Sequence, residues 1–255
     1  MPFRPVSPEK LSAAVVRQVE ELILRGILQP GKRLPAEREL AERLGVSRPS
    51  LRDAIAQLQQ AGLLTTKAGS GVFVADVLGS AFSPALTSLF ARHDEAAMDY
   101  LSFRRDMEGL AAERAARLGS DTDLAVISAI FTKMQAAHDA PDAEAEAALD
   151  AQFHMAIIEA SHNVVMLHMM RSMYDLLRSG VFYNRQIMFR QLTTRADLLD
   201  QHRAIVDALL ARDAVAARAA VDIHLNYVER ALLDQQRAAR HEGVAQQRLD
   251  HELDG

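Results

Sequence analysis

The chain of 255 residues contains no cysteine. This absence excludes a disulfide scaffold, a thiolate zinc site and a cysteine nucleophile, so any bound metal must be held by histidine and carboxylate side chains. Glycine and proline are also few, at 12 and 8 residues, which excludes collagen-like and low-complexity chains. With 49% hydrophobic and 25% charged residues, the composition is typical of a globular protein with one large or two smaller domains.

Long apolar runs are missing as well. Every apolar stretch is interrupted by a charge before it reaches the roughly 18 residues that a membrane helix needs. The opening residues, MPFRPVSPEK, lack the apolar core of a signal peptide. We therefore expect a cytoplasmic protein without membrane contact.

Charge is distributed unevenly along the chain. Residues 1–76 carry 11 Lys and Arg against 8 Asp and Glu, a net charge of +3, whereas the remaining residues carry 18 against 26, a net charge of -8. A basic head on an acidic body is one pattern of a nucleic-acid-binding module joined to another domain.

The head has the pattern of a helix-turn-helix. Apolar residues recur at helical spacing over 11–23, and a second helix, PAERELAERLG, begins with Pro35 and ends at Gly45. Ser47 suits the N-cap of a third helix, SRPSLRDAIAQLQQAG. Two helices joined by a turn of about three residues predict a helix-turn-helix.

The start of the third helix and the segment after it suit DNA contact. Arginine can pair with guanine in the major groove, and serine hydroxyls can reach phosphates. Two short strands, LLTT and VFV, flank a glycine-rich tip and predict a wing that carries Lys67. The alternative is that the arginines are ordinary solvated residues, but the order and lengths of these elements favour DNA binding.

A longer stretch, LQPGKRLPAERELAERLGVSRPSLRDAIAQLQQAGLLTTKAGSGVFVAD, resembles the winged helix-turn-helix of the GntR family of bacterial transcription regulators over its whole length. Pro49 departs from the Thr of some members and removes one hydroxyl. In the FadR branch of the family, the resemblance places the DNA-contacting positions on six residues, to which the wing adds Lys67. The six are Arg38, Ser47, Arg48, Ser50, Arg52 and Gly69.

After residue 76 the apolar pattern is helical to about residue 240. Residues 77–93 are predicted to form a linker that contains a short helix over 80–91. Breaks near residues 93, 119, 140, 162, 193 and 212 delimit six longer helices over 94–240. The polar tail over 241–255 is predicted to be frayed and disordered.

Four polar residues interrupt the apolar stripes of these helices. Asp150 and His154 lie one turn apart on the same face of one helix, and His202 and His224 lie on the apolar faces of two others. A buried unpaired carboxylate costs several kcal/mol, and one divalent cation would satisfy all four groups. The alternative is a set of core histidines with a capped aspartate. Zn, Ni, Mn and Fe each suit these ligands, with Zn the first choice.

The remaining histidines lack this spacing and are interpreted as ordinary residues. They are His93, His138, His162, His168, His241 and His251.

A further charge on an apolar stripe is Arg104. A structural ion pair with Glu108, four residues later, is one interpretation. The other is that an inward arginine near a metal holds a carboxylate ligand through a bidentate fork.

The body resembles the FCD domain, the ligand-sensing bundle of the FadR branch, on the segments FRRDMEGLAAERAA, DAQFH, SHNVVMLHMM, QHRAI and IHL. The resemblance implies a metal on Asp150, His154, His202 and His224, and an effector contact at Arg104. Within the branch the chain is most similar to the pyruvate-dehydrogenase-complex repressor and to lactate- and glycolate-responsive regulators.

The sequence thus predicts a mainly α protein, in which a winged helix-turn-helix precedes an all-α bundle. We expect a homodimeric regulator that contains one divalent metal, binds a palindromic double-stranded operator and responds to a small carboxylate. An alternative is a helical-bundle metalloenzyme with an appended DNA-binding domain, since this ligand set leaves coordination positions open. The absence of a serine nucleophile motif and of a phosphate-binding glycine loop speaks against an enzyme.

Overall fold

A computed structural model of the chain describes residues 11–67, 69–76, 84–90, 92–140, 142–178 and 192–254. Contacts divide the chain into two units, Met1–Ala81 and Phe82–Gly255. Each unit has its own hydrophobic core. The predicted fold class is confirmed, because the first unit combines three helices with a hairpin and the described part of the second is entirely helical.

The first unit contains three helices and a two-stranded sheet. The helices are α1 (Leu11–Leu24), α2 (Glu37–Leu44) and α3 (Arg48–Gln60), and the strands are β1 (Leu64–Lys67) and β2 (Gly71–Val74). The strands pair antiparallel, with Leu64 opposite Val74. Gly45 ends α2 in the left-handed conformation at φ 63°, and three residues later α3 begins, which is the predicted helix-turn-helix spacing.

The core of the first unit fixes the third helix against the others. Leu51, Ala54 and Leu58 on the inner face of α3 are buried against Val15 and Val19 of α1. The opposite face of α3 stays exposed. The packing therefore leaves the polar face of α3 available for a partner.

The described part of the second unit contains one short and six long helices. They are α4 (Pro84–Phe90), α5 (Asp94–Leu118), α6 (Asp121–Asp139), α7 (Ala143–Ala160), α8 (Val164–Arg178), α9 (Leu192–Leu210) and α10 (Ala214–Asp254). Ser120 and Asp123 form a capping box at the start of α6, and the side chain of Asp142 caps α7. The helix breaks follow the predicted ones where both sides are described. Near the predicted break at residue 193, α9 begins at Leu192, and residues 179–191 before it lie outside the described residues.

The predicted linker helix over 80–91 is described only in part. Residues 84–90 are helical, and residues 80–83 and 91 lie outside the described residues.

The tail differs from the prediction. Residues 241–254 continue α10 as a helix, although the sequence predicted a frayed, disordered segment. The residues of this segment whose exposure is described are exposed, so it adds nothing to the core. The segment contains no proline, and eight of its 14 residues are the good helix formers Ala, Gln, Arg, Leu or Glu, so local propensity continues the helix past the last core contact. Among the described helices, none combines the length and apolarity needed to cross a membrane.

Candidate metal centre and DNA-binding surface

Three helices of the second unit bring polar side chains to one place in its core. Asp150 and His154 lie four residues apart on one face of α7. His202 comes from α9 and His224 from α10. Between 1% and 4% of each residue is exposed. The four residues that the sequence grouped together are the four that converge here.

The ligand atoms of this cluster are close enough to share one cation. One atom from each residue lies within 4.8 Å of the others. Asp150 Oδ1 is 3.1 Å from His202 Nε2 and 3.6 Å from His154 Nε2, and the two imidazole nitrogens are 3.4 Å apart. Three imidazoles and one carboxylate in a buried setting are the ligands of a divalent transition-metal site, so the residues present fit such an ion.

Aromatic packing closes one side of the cluster. The ring of Phe153 stands edge-on to His154 and to His202, with centroid distances of 5.6 Å and 5.1 Å. The rings of His154 and His224 stack at 5.1 Å. Phe153 is fully buried, so it forms an apolar wall that keeps water from this side of the cluster.

A second layer of side chains orients the histidines. Glu108 Oε2 lies 2.7 Å from His154 Nδ1, and Gln201 Oε1 lies 3.1 Å from His224 Nδ1. A bond from Nδ1–H to each acceptor fixes the tautomer in which Nε2 carries the lone pair. Both contacts therefore prepare Nε2 for a metal.

Arg104 lies beside this second layer. Its guanidinium contacts Glu108 through Nε at 2.6 Å and Nη2 at 3.3 Å, and Nη2 donates to Tyr174 at 2.9 Å. The Tyr174 hydroxyl in turn donates to Glu108 at 2.7 Å. Arg104 and Glu108 are both almost fully buried. The ion pair considered in the sequence analysis is therefore present, and it links Arg104 to His154 through Glu108.

Burial and charge move the pKa values of these groups in different directions. Burial raises the pKa of the Glu108 carboxyl, but Arg104 and His154 outweigh it and hold that pKa well below its usual range. Burial lowers the pKa of His154, but the adjacent carboxylates outweigh it and raise that pKa. Burial and the neighbouring histidines lower the pKa of His224 well below its usual value. His224 is therefore a neutral imidazole at neutral pH, the form that binds a metal.

Sequence reasoning missed several members of this region. The sequence analysis considered Glu108 only as a partner of Arg104. Glu108 also contacts His154, which lies 46 positions later in the chain on another helix. Tyr174 was not singled out. Helical spacing relates residues within one helix and not residues on different helices. The only signal for the contact of Glu108 with the cluster was its position one turn after Arg104 on the inward face.

The predicted DNA-binding residues all belong to the first unit. Arg48 is the first residue of α3, and Arg52 lies one turn later; both are exposed. Ser47 is the N-cap of α3, because its Oγ accepts a hydrogen bond from the backbone N–H of Ser50 at 3.3 Å. The prediction of this cap is confirmed.

The other predicted DNA contacts lie on α2 and the hairpin. Arg38 is exposed on α2. The ammonium group of Lys67 lies 4.8 Å from the centre of the Phe73 ring across the hairpin. Gly69 adopts φ +70° near the hairpin tip, and a Cβ added there would meet no atom of the structure within 4 Å beyond its chain neighbours. A side chain there would be strained by the backbone, so glycine lets the tip turn tightly.

Glu37 was not predicted to belong to this surface. Its Oε1 lies 3.1 Å from Arg48 Nε and 2.9 Å from Arg52 Nε. The hydrogen bond from Arg52 lowers the pKa of Glu37, burial opposes this effect, and the bond from Arg48 adds to the lowering. Both arginines therefore share one carboxylate oxygen of Glu37 through Nε.

A helix-turn-helix with an exposed third helix and a wing is the architecture of a class of DNA-binding transcription regulators. Two family models match the chain. The model described as bacterial regulatory proteins of the gntR family matches residues 11–74, and that of the FCD domain matches residues 99–227. The chain belongs to the GntR family and carries an FCD domain.

The relatives are regulators. A protein of Escherichia coli K12 named for regulation of the L-lactate dehydrogenase operon is 37% identical over 92% of this chain and 93% of its own length. The Glc operon transcriptional activator of the same organism is 35% identical over 86% and 88%. These matches make the chain a transcription regulator rather than an enzyme.

A solved structure supports the same architecture. A GntR protein of Streptococcus agalactiae matches with a TM-score of 0.55 and 26% identity, covering 86% of this chain and 99% of that one. The predicted family is therefore confirmed at the level of sequence and fold.

Proposed function

We propose that the protein is a metal-containing repressor that senses a small 2-hydroxy or 2-oxo carboxylate. The observation that carries the proposal is the buried cluster of Asp150, His154, His202 and His224 within an FCD domain. The relative named for the L-lactate dehydrogenase operon supports a small acid as effector. The protein works where its operator DNA is, in the cytoplasm.

The cluster would hold one divalent ion, for which Zn is the first choice and Ni, Mn and Fe are alternatives. When bound, such an ion supplies a Lewis-acidic position that a chelating carboxylate can fill. Asp150 contributes the negative charge, and Glu108 and Gln201 hold two of the imidazoles in place. A bound ion would therefore link α7, α9 and α10 through its ligands.

Arg104 is proposed as the contact for the effector carboxylate. Its present partner is Glu108, which also contacts His154, so an effector that engages Arg104 must share it with Glu108. A change at Arg104 would then reach a metal ligand through one intervening carboxylate. Such a shared arginine gives effector binding a physical route to the helices that carry the cluster.

DNA contact is proposed for the exposed polar face of the first unit. A homodimer would place two recognition helices on the half-sites of a palindrome. Arg48 and Arg52 are suited to base edges, and the wing residues Lys67 and Gly69 to the backbone or minor groove. The further proposed contacts are Arg38, Ser47 and Ser50.

The metal is tested directly by elemental analysis and thermal melting of the purified protein. We expect one equivalent of a divalent metal, and a melting temperature that falls with chelator and recovers when Zn²⁺ is returned. At metal concentrations about a thousand times Kd, the stabilisation should be about 4 kcal/mol. Protein without stoichiometric metal, and with the same melting temperature in chelator, would contradict the site.

The effector is tested by calorimetry with pyruvate, L-lactate and glycolate on metal-loaded protein. Arg104→Lys is the informative variant, because it keeps a positive charge beside Glu108 but loses the planar fork. It should weaken binding of the acid and its influence on DNA affinity, while DNA affinity without the acid stays unchanged. A normal response of Arg104→Lys, or equal binding of the acid to metal-free protein, would contradict the mechanism.

A further inference from the structure

The hairpin of the first unit has one face that points away from the core. Arg33 pairs with Phe73 in a single antiparallel bridge, on the edge of β2 that β1 does not use. Side chains directly opposite each other lie on the same face of a sheet, and every second side chain along a strand returns to that face. Five residues share this outer wing face: Arg33, Thr65, Lys67, Gly71 and Phe73. The other face carries Leu34, Leu64 and Val74, which are buried in the core.

The two cations of the outer wing face both lean over β2. Lys67 is paired with Gly71, but its ammonium group lies 4.8 Å from the centre of the Phe73 ring. Arg33 is paired with Phe73, but its guanidinium lies against Gly71. A Cβ built on Gly71 would lie 3.2 Å from Arg33 Nε and 3.5 Å from Nη2, so the missing side chain leaves the room that the guanidinium occupies. Both charges therefore lie above the same strand.

No acidic residue offsets these charges locally. Segments 27–36 and 61–75 contain Lys32, Arg33 and Lys67 but not one Asp or Glu. Arg33 is exposed, and no residue within the described ranges forms a hydrogen bond or an ion pair with its guanidinium. Like charges gathered over one strand repel each other, and an anion bound beside them would remove that repulsion. The outer wing face is therefore complementary in charge to an anionic partner.

Double-stranded DNA is the anion that suits this face best. Arg33 and Lys67 are both exposed, and a single small anion gains little from charges that water and salt screen. DNA carries one phosphate charge per about 1.7 Å of its axis, so it offers several phosphates to the face at once. The same hairpin carries Gly69 near its tip, which is already a proposed DNA contact. Phosphates beside the tip would come within reach of the outer wing face.

We propose that Arg33 is a further DNA contact, which binds a backbone phosphate beside Lys67. Arg33 precedes α2 in the chain and belongs neither to the helix-turn-helix nor to the hairpin. The inference rests on the proposed DNA contact of the first unit, and it adds a residue that strengthens binding to every duplex. A phosphate contact positions the protein on DNA but carries no sequence information.

The test follows binding of the full-length protein to a labelled random-sequence duplex by fluorescence anisotropy, between about 50 mM and 200 mM salt. Arg33→Gln removes the charge and keeps a polar side chain. We expect the slope of log affinity against log salt to become shallower by about 0.9 for each bound head, the value for one phosphate contact on duplex DNA. Arg33→Lys should keep the wild-type slope, because an ammonium group also binds phosphate as a point charge.

Arg25→Gln is the matched control. It removes the same charge from the same unit, at an exposed position where the arginine pairs with Glu21 at 3.0 Å. We expect it to leave the salt slope unchanged. All three variants should melt like the wild-type protein, because each substitution changes an exposed side chain.

Three results would overturn the role of Arg33. They are a wild-type slope for Arg33→Gln, an equal reduction for Arg25→Gln, and a slope for Arg33→Lys as shallow as that for Arg33→Gln. If Arg33→Gln kept the wild-type slope but changed the sedimentation of the protein without DNA, the outer wing face would instead be a contact between proteins. Failure of the wild-type protein to bind any duplex, selected or random, would overturn the proposed DNA contact of the whole first unit.

Discussion

The two units of the chain hold arginine–glutamate pairs in opposite environments. In the first unit, Arg48 and Arg52 share Glu37, and more than half of each arginine side chain is exposed. In the second unit, Arg104 pairs with Glu108 in the core, where each side chain is at most 2% exposed. The chemical groups are the same, but the solvent around them is not.

This difference separates surfaces that exchange partners from groups that stay fixed. An exposed pair gains little from its Coulomb attraction, because water and salt screen it, so its arginines can leave for a phosphate or a guanine. A buried pair cannot lose one member without leaving a charge in the core. Arg48 and Arg52 of the first unit are therefore free to change contacts, whereas Arg104 of the second unit keeps its orientation beside the buried cluster.

The largest expected effect comes from breaking the buried pair. Glu108→Ala leaves the Arg104 guanidinium in the core without its carboxylate and should reduce the free energy of unfolding by about 3–5 kcal/mol. All four tyrosines of the chain lie after residue 99, so tyrosine fluorescence during denaturation follows the second unit alone. The measurement uses metal-free protein, which separates the effect from lost metal binding.

Glu37→Ala is the matched control for that prediction. It removes the carboxylate of an exposed pair, and we expect no resolvable change in the thermal unfolding of the first unit, followed by circular dichroism. Equal destabilisation by the two substitutions would show that burial does not distinguish the pairs.

An intermediate effect is expected on DNA. Duplexes selected by the wild-type protein from a random-sequence library serve as the specific probe. Arg48→Ala or Arg52→Ala should weaken binding to them by about 1–3 kcal/mol, because each arginine is proposed to contact a base edge. Neither change should alter the tyrosine transition of the second unit. Affinities within a factor of two of wild type for both variants would contradict the proposal that α3 binds in the major groove.

The smallest effect is expected at the wing. Lys67→Ala should cause a smaller loss that is equal for selected and random duplexes, since a phosphate contact carries no sequence information. The slope of log affinity against log salt should become shallower by about one. A loss confined to the selected duplexes would instead indicate that Lys67 reads bases.

Local patterns made much of the molecule predictable. Gly45, Ser47 and the four-residue interval between Asp150 and His154 act through the backbone or within one helix, so their roles could be inferred from spacing. His202 and His224 each lie on the apolar face of their own helix, so each is expected to be buried. Their convergence was inferred from the free-energy cost of burying polar groups without partners. The tail was mispredicted, because helix propensity without burial gives no apolar stripe.

The sequence by itself determined the helix-turn-helix, the helical body and the four members of the buried Asp–His cluster, because each depends on periodicity, capping or burial within one element. Only the tertiary structure decided which acid faces which base between elements. Glu108 meets His154, Glu146 meets Arg195, and Glu37 meets Arg48 through contacts between helices. Such pairs depend on the packing of whole helices, since residues that are distant in the chain become neighbours only when the cores that join their helices form.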